Sequence, residues 1–155
     1  MIAAHIAALS ASAWTALYFL ATLILPLLPV IGRHYAKWDK DKRYQACGLL
    51  PSTTFILVIV PLSLWVLFFD DEIHAVRVTG STFMSMTTIS IAFGYFMYDS
   101  VVIFTHLRLE GYALLAHGVL CMITYGAAVA FEVYQYYGPV FLMFESSTLF
   151  VNFRW

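Results

Sequence analysis

Apolar residues come along this chain in long blocks, and four short polar stretches, 33–47, 70–80, 105–111 and 132–137, separate them. The blocks cover about residues 6–31, 48–69, 81–104, 112–131 and 138–155. A helix needs ~20 predominantly apolar residues to cross the hydrocarbon of a bilayer, and each block approaches or exceeds that length. Alternation at period two, the mark of a membrane barrel strand, is absent, so the pattern predicts helices throughout. Pro26, Pro29 and Pro61 fall inside the first two blocks, where neighbouring helices and local adjustment tolerate a kink. No internal repeat and no long hydrophilic stretch divides the sequence. The expected architecture is a single all-α polytopic membrane domain over residues 1–155, with about five transmembrane helices.

Composition strengthens that reading: 62 % of the residues are hydrophobic and 11 % charged, with a mean hydropathy of +0.82. The first apolar block lacks a preceding basic segment and is longer than a secretory signal core, so it reads as a membrane helix. Cys47 and Cys121 fall at or inside the predicted helices and read as free packing thiols. Charge sets an expected orientation. Arg33, Lys37, Lys40, Lys42 and Arg43 crowd the first polar stretch, and Arg108 and Arg154 lie on the same side, whereas Arg77 is alone on the other. Basic residues accumulate in short cytoplasmic loops, which places the N-terminus outside or lumenal and the C-terminus in the cytoplasm. The basic loop itself reads as a topology signal before it reads as an anionic-lipid or partner site.

Polar residues inside the blocks are the candidates for chemistry. Asp99 lies five residues before the third helix is expected to end, and His117 five residues after the fourth begins. A short connection makes these helices an antiparallel hairpin, so both groups sit roughly 7 Å inside the same border. An ionised group in hydrocarbon costs at least ~2.5 kcal/mol and faces the bundle interior with a partner. Asp99 and His117 are therefore expected to meet, either to fix helix register or to serve a ligand. In "FESSTLFVNFRW", Glu145, Thr148 and Asn152 follow at i, i+3 and i+7 and share one helix face. This polar stripe should line a cavity or polar contact, and Tyr95, one turn before Asp99, joins the set. Arg154 is expected to snorkel to the interface. Ser81, Ser85 and Thr88 form a weakly polar face, and Ser90 with Gly94 is a small-xxx-small pair suited to close packing. Trp38, Tyr44, Tyr134, Tyr136, Tyr137 and Trp155 fall at predicted borders as an aromatic belt.

The succession "GYFMYD", "LLAHG" and "FESSTLFVNFRW" resembles the TLC domain of ceramide synthases, translocation-associated membrane proteins and small lipid-regulating proteins, over roughly residues 40–155. The likeness is greater to the small TLC-domain-containing proteins. It implies an open helical barrel around a lipid-sized cavity, with Asp99, His117 and the last helix's polar stripe pointing inward. Two features depart from the acylating members. Their His-His pair corresponds to Ala116 and His117, and their later His-Asp and Ser-Asp pairs fall near Phe144–Glu145 and Ser147–Thr148. The chain also stops where the family continues through one or two more helices, which leaves one side to be closed by further sequence, another copy or other membrane subunits.

Three functions stand on these residues. The first is a lipid-binding or lipid-homeostasis protein without enzymatic activity, holding a phospholipid or sphingolipid and otherwise no cofactor. The second is a structural subunit of a larger membrane complex. The third is an acyl-CoA-dependent lipid acyltransferase, which the single histidine disfavours because a general base needs a tuned partner. The five histidines show no metal-ligand spacing, so no metal is expected. A net charge of −1 without a basic stripe outside the first loop argues against nucleic acid.

Overall fold

The computed structural model describes residues 2–153, all in helices and short connections, with no strand among them. Arg154 and Trp155, expected at the interface, lie outside the described residues. The first helix, α1 (Ile2–Ile24), runs into a 3₁₀ turn at Leu25–Leu27. Pro26 removes a backbone donor there, and Leu28, before Pro29, is extended. Two prolines so close together end the helix rather than kink it, and the chain continues as the five-residue α2 (Ile31–Tyr35).

The next helix, α3 (Lys40–Phe69), starts well before the expected residue 48. Asp39 accepts a hydrogen bond from the Lys42 amide at 2.8 Å and so caps a helix whose first turns are charged. Its 30 residues make about 45 Å of helix. Hydrocarbon spans ~30 Å, so the basic first turns project beyond it. The helix runs through both Pro51 and Pro61.

Beyond it, α4 (Asp71–Ala75) fills part of the expected loop. Asp70 accepts from the Ile73 amide at 3.4 Å and from the Thr82 hydroxyl. Thr82 in turn caps α5 (Phe83–Thr105) through a reciprocal capping box with Ser85. Ser85, expected on a polar membrane face, is thus consumed by the helix start.

A short α6 (Leu107–Glu110) and Gly111, whose φ of +84° suits a residue without Cβ, turn the chain into α7 (Tyr112–Phe131). The final segment is α8 (Tyr137–Leu142), a 3₁₀ turn at Met143–Glu145 and α9 (Ser146–Phe153). It follows the expected fifth block in pieces rather than as one rod. The Ser147 hydroxyl donates to the Phe144 carbonyl at 2.9 Å beside the break, a bond that competes with helical pairing and bends helices. Among the described residues, four helices are long and apolar enough to cross a membrane: α1 with its turn, α3, α5 and α7.

At the centre stands α5, 56 % of whose most apolar stretch is buried, against 17 % in α1 and α7. It packs on α1, α3 and α7, while α8 and α9 pack on α3. Gly94 lets α1 approach α5: a Cβ there would collide with the Ala7 carbonyl and with Ser10. Ser10 donates to the Ile91 carbonyl at 2.9 Å and accepts from the Trp14 indole at 2.8 Å. The small pair expected at 90 and 94 thus falls at a helix crossing, as small residues do in membranes.

The bundle has two ends. At one, α2, the start of α3, α6 and the start of α7 meet, and Tyr44 stacks on His106 with centroids 3.6 Å apart. Tyr44, expected at the interface, is buried instead. At the other, the Tyr134 amide donates to the Val78 carbonyl at 2.7 Å, and buried Gln135 donates to the Ala128 carbonyl at 2.8 Å. Arg77 lies 5.0 Å over the Tyr136 ring at this end.

Candidate functional site

The first turns of α3 carry polar residues on the side that faces α5, and the second half of α5 carries its own opposite them. Between them, α7 and α9 lies a cavity of ≈ 430 Å³. Tyr95, Asp99, His117, Glu145, Thr148 and Asn152 all line it. Tyr44, Gln45, Gly48, Ser52, Tyr98 and Glu110 line it as well. A wider hollow of ≈ 890 Å³ outside the bundle, along residues 104–112 and Asp41, is walled by a connecting segment at the surface. The chemistry-bearing membrane residues belong to the inner cavity.

Two of its lining residues, Tyr95 and Phe96, belong to the aromatic cluster of the core that forms its floor from behind. Phe55 and Tyr95 stack at 3.7 Å with rings 3° apart, and Trp14 meets both edge-on at 5.9 and 5.8 Å. Phe96 stacks on Tyr125 at 5.4 Å on the α7 side. Such pairs are rigid, because planar rings locked against one another have few rotamers to visit.

One wall is hydrogen-bonded across the chain. The Asn152 amide donates to the Ser52 hydroxyl at 2.7 Å and to the Thr53 hydroxyl at 3.1 Å, fixing α9 to α3. Ser52 and Thr53 escaped the sequence reading. The run "PSTT" inside an apolar helix is their signal, since such hydroxyls bond either to their own helix or to a neighbour. Thr148, one turn before Asn152, lines the same wall.

The expected contact between Asp99 and His117 is replaced by another. His117 Nε2 lies 3.6 Å from Glu145 Oε1, with the histidine side chain 50 % exposed and the glutamate 20 %. Asp99 makes no hydrogen bond or ion pair among the described residues. The reason is rotation about α7. Gly118, not His117, faces the Asp99 level of α5: a Cβ on it would lie 3.0 Å from Ser100 Oγ and 3.6 Å from Asp99 Oδ2. Matching depth fixed the level of the two residues but not their direction, since one residue turns a helix by about 100°.

Cys121, one turn beyond His117, holds its sulfur 3.7 Å from Nε2, and both cysteines are free thiols. His117 therefore touches a carboxylate and a thiol at once. No three His, Cys, Asp or Glu side chains among the described residues could hold a metal ion. The cavity can bind, through charge, hydroxyls and aromatic faces.

A model of the TLC domain matches residues 49–155, which include every predicted cavity residue. TLC domain-containing protein 4-B of Danio rerio is 27 % identical over 122 residues, 78 % of this chain and 46 % of that protein. An uncharacterised TLC domain-containing protein of Schizosaccharomyces pombe is 28 % identical over 140 residues, 83 % of this chain and 45 % of its own. TLC domain-containing protein 4 of Xenopus tropicalis is 29 % identical over 106 residues, covering 67 % and 40 %. The chain thus spans about half the length of the curated relatives it matches. No solved structure matches it.

Proposed function

The chain belongs to the TLC domain family, and from that premise we propose that it binds a membrane lipid in the cavity between α3, α5, α7 and α9 and serves lipid homeostasis without catalysing a reaction. The observation that supports this is convergence. Six polar or aromatic residues spread over residues 95–152 of an apolar sequence line one cavity with a rigid aromatic floor. Lipid-binding sites have this character: mostly apolar walls and a few placed polar groups. The volume of ≈ 430 Å³ suits a headgroup and the first carbons of its chains rather than a whole diacyl lipid. A catalytic reading fits less well, because His117 is half exposed and has Ala116 beside it where the acylating members carry a second histidine.

Gly48 supplies a clean test. It lines the cavity, and a Cβ built on it meets nothing within 4 Å. Gly48→Phe fills the space without a backbone clash. Purified from membranes in mild detergent, the natural protein is expected to retain lipid visible by mass spectrometry, and Gly48→Phe to lose it while eluting and melting as before. Equal lipid in both proteins overturns the cavity as the binding place.

Orientation is part of the same proposal. Arg33, Lys37, Lys40, Lys42, Arg43 and Arg108 mark the end on which the cavity abuts as cytoplasmic. A cysteine at Lys40 should react with an impermeant reagent in cytoplasmic-side-out vesicles and one at Glu72 should not; the reverse pattern inverts the assignment.

A further inference from the structure

The charge inside the cavity is one-sided. Asp99, Glu110 and Glu145 line it, with His117 the only basic lining residue and no Lys or Arg among the described lining residues. Glu145 is matched by His117. Asp99 is not matched by any described residue, although a carboxylate in a membrane interior is costly without a counter-charge. A second observation points to a ligand. Tyr98 is 7 % exposed and lines the cavity, yet its hydroxyl makes no hydrogen bond among the described residues. The ring is buried but the hydroxyl oxygen keeps accessible surface, so it is open to a ligand. An unpaired carboxylate and an unpaired hydroxyl on adjacent residues of α5 therefore border the same space.

The surroundings select the occupant. A metal ion is disfavoured, because no three ligating side chains among the described residues come together to hold one. An ammonium group suits both neighbours: it answers the charge of Asp99 and is attracted to the faces of aromatic rings such as those of Tyr44, Tyr95 and Tyr98. Outside the acidic cavity, the same end of the bundle is basic: Arg43 donates to the Tyr35 and Ala36 carbonyls there, and Arg108 lines the outer hollow. Negative inside and positive at that end of the bundle is the complement of a headgroup that carries an ammonium and a phosphate.

Resting on the lipid-binding reading above, we propose that the cavity takes the headgroup of a zwitterionic phospholipid, with its ammonium beside Asp99 and its phosphate toward the basic end of the bundle, and rejects lipids of net negative charge. Asp99 is then the specificity-determining residue, and Tyr98 lends its hydroxyl to the headgroup phosphate.

The test is a headgroup ranking on the purified full chain. Native mass spectrometry measures binding of dioctanoyl phosphatidylcholine, phosphatidylethanolamine and phosphatidylglycerol, and of dodecylamine as an ammonium without phosphate. The two zwitterions should bind roughly tenfold more tightly than the glycerol lipid, the scale of one charge-assisted contact, and more tightly than the amine. Asp99→Asn should erase the preference over phosphatidylglycerol. Phosphatidylglycerol binding as well as phosphatidylcholine in the natural protein, or a preference that survives Asp99→Asn, overturns the assignment. Dodecylamine binding as tightly as the zwitterions overturns the phosphate half. If Asp99→Asn does not fold, Tyr98→Phe is the second variant: a several-fold weaker affinity for the zwitterions supports the assignment, and no change overturns it. Failure of every lipid to bind removes the lipid-binding reading itself, a result distinct from any change of ranking.

Discussion

Gly94 and Gly48 are the same residue in two halves of one bundle, and they do opposite things. At Gly94 the missing Cβ is occupied space: the Ala7 carbonyl and Ser10 of α1 sit where it would be. Gly138 is similar, with the Ile89 side chain 2.7 Å from its missing Cβ. At Gly48 nothing lies within 4 Å. The crossing of α1 on α5 and the approach of α8 to α5 are therefore solid, whereas the space between α3, α5, α7 and α9 is hollow beside the same aromatic cluster. Between helices in a bilayer the drive to associate comes from packing and hydrogen bonds rather than from exclusion of water, so a half that packs loosely needs polar ties to hold its shape. The hollow half has them: Asn152 to Ser52 and Thr53, and His117 to Glu145.

The comparison can be broken most directly in the solid half. Gly94→Leu forces a side chain into the α1 crossing, and overpacking of this kind costs about 1–3 kcal/mol or more. A thermal melt of the purified protein should show the largest loss of the set; an unchanged melt would mean that α1 does not depend on this approach. Next comes Asn152→Leu, which removes two hydrogen bonds and should cost about 1–2 kcal/mol, with protease sensitivity rising in α9 before the rest of the chain. Equal sensitivity along the chain would show that α9 is held by other contacts.

A smaller effect belongs to the histidine. In a double-mutant cycle, His117→Ala and Glu145→Gln should be coupled by roughly 0.5–1 kcal/mol, whereas His117→Ala and Asp99→Asn should be additive. Coupling in the second cycle and not in the first would restore the contact that depth matching suggests. The smallest change in stability is expected for Gly48→Phe. The cavity accepts the ring, and replacing glycine in a helix recovers several tenths of a kcal/mol of propensity, so its melt should be equal or higher. A large loss there would mean that the hollow half is not hollow.

Much of this division was legible before any coordinates. The long apolar blocks gave α5 and α7 nearly to the residue, because hydrocarbon imposes one length on every span. The cavity residues were legible for a related reason: Asp99, Glu145 and Asn152 stand out only because all around them is apolar. Hydropathy said nothing of Asp39, whose cap starts α3 inside a charged stretch, nor of the two close prolines that end α1. It also could not tell that His117 meets Glu145 rather than Asp99. Helical rise converts residue number into depth, but the bearing of a side chain around its helix is set by packing, and Gly118 takes the place meant for His117.

The bond from Asn152 to Ser52 spans 100 residues of chain. Contacts so distant in sequence carry the greatest loop-closure cost and form late, after the neighbouring helices have met. As synthesis proceeds from the N-terminus, α3 and α5 can find each other while Asn152 is not yet made. The compartment between them is then a cleft open along one side to the bilayer. A lipid bound as proposed need not pass through a finished wall, because the wall can close around it once it is already in place.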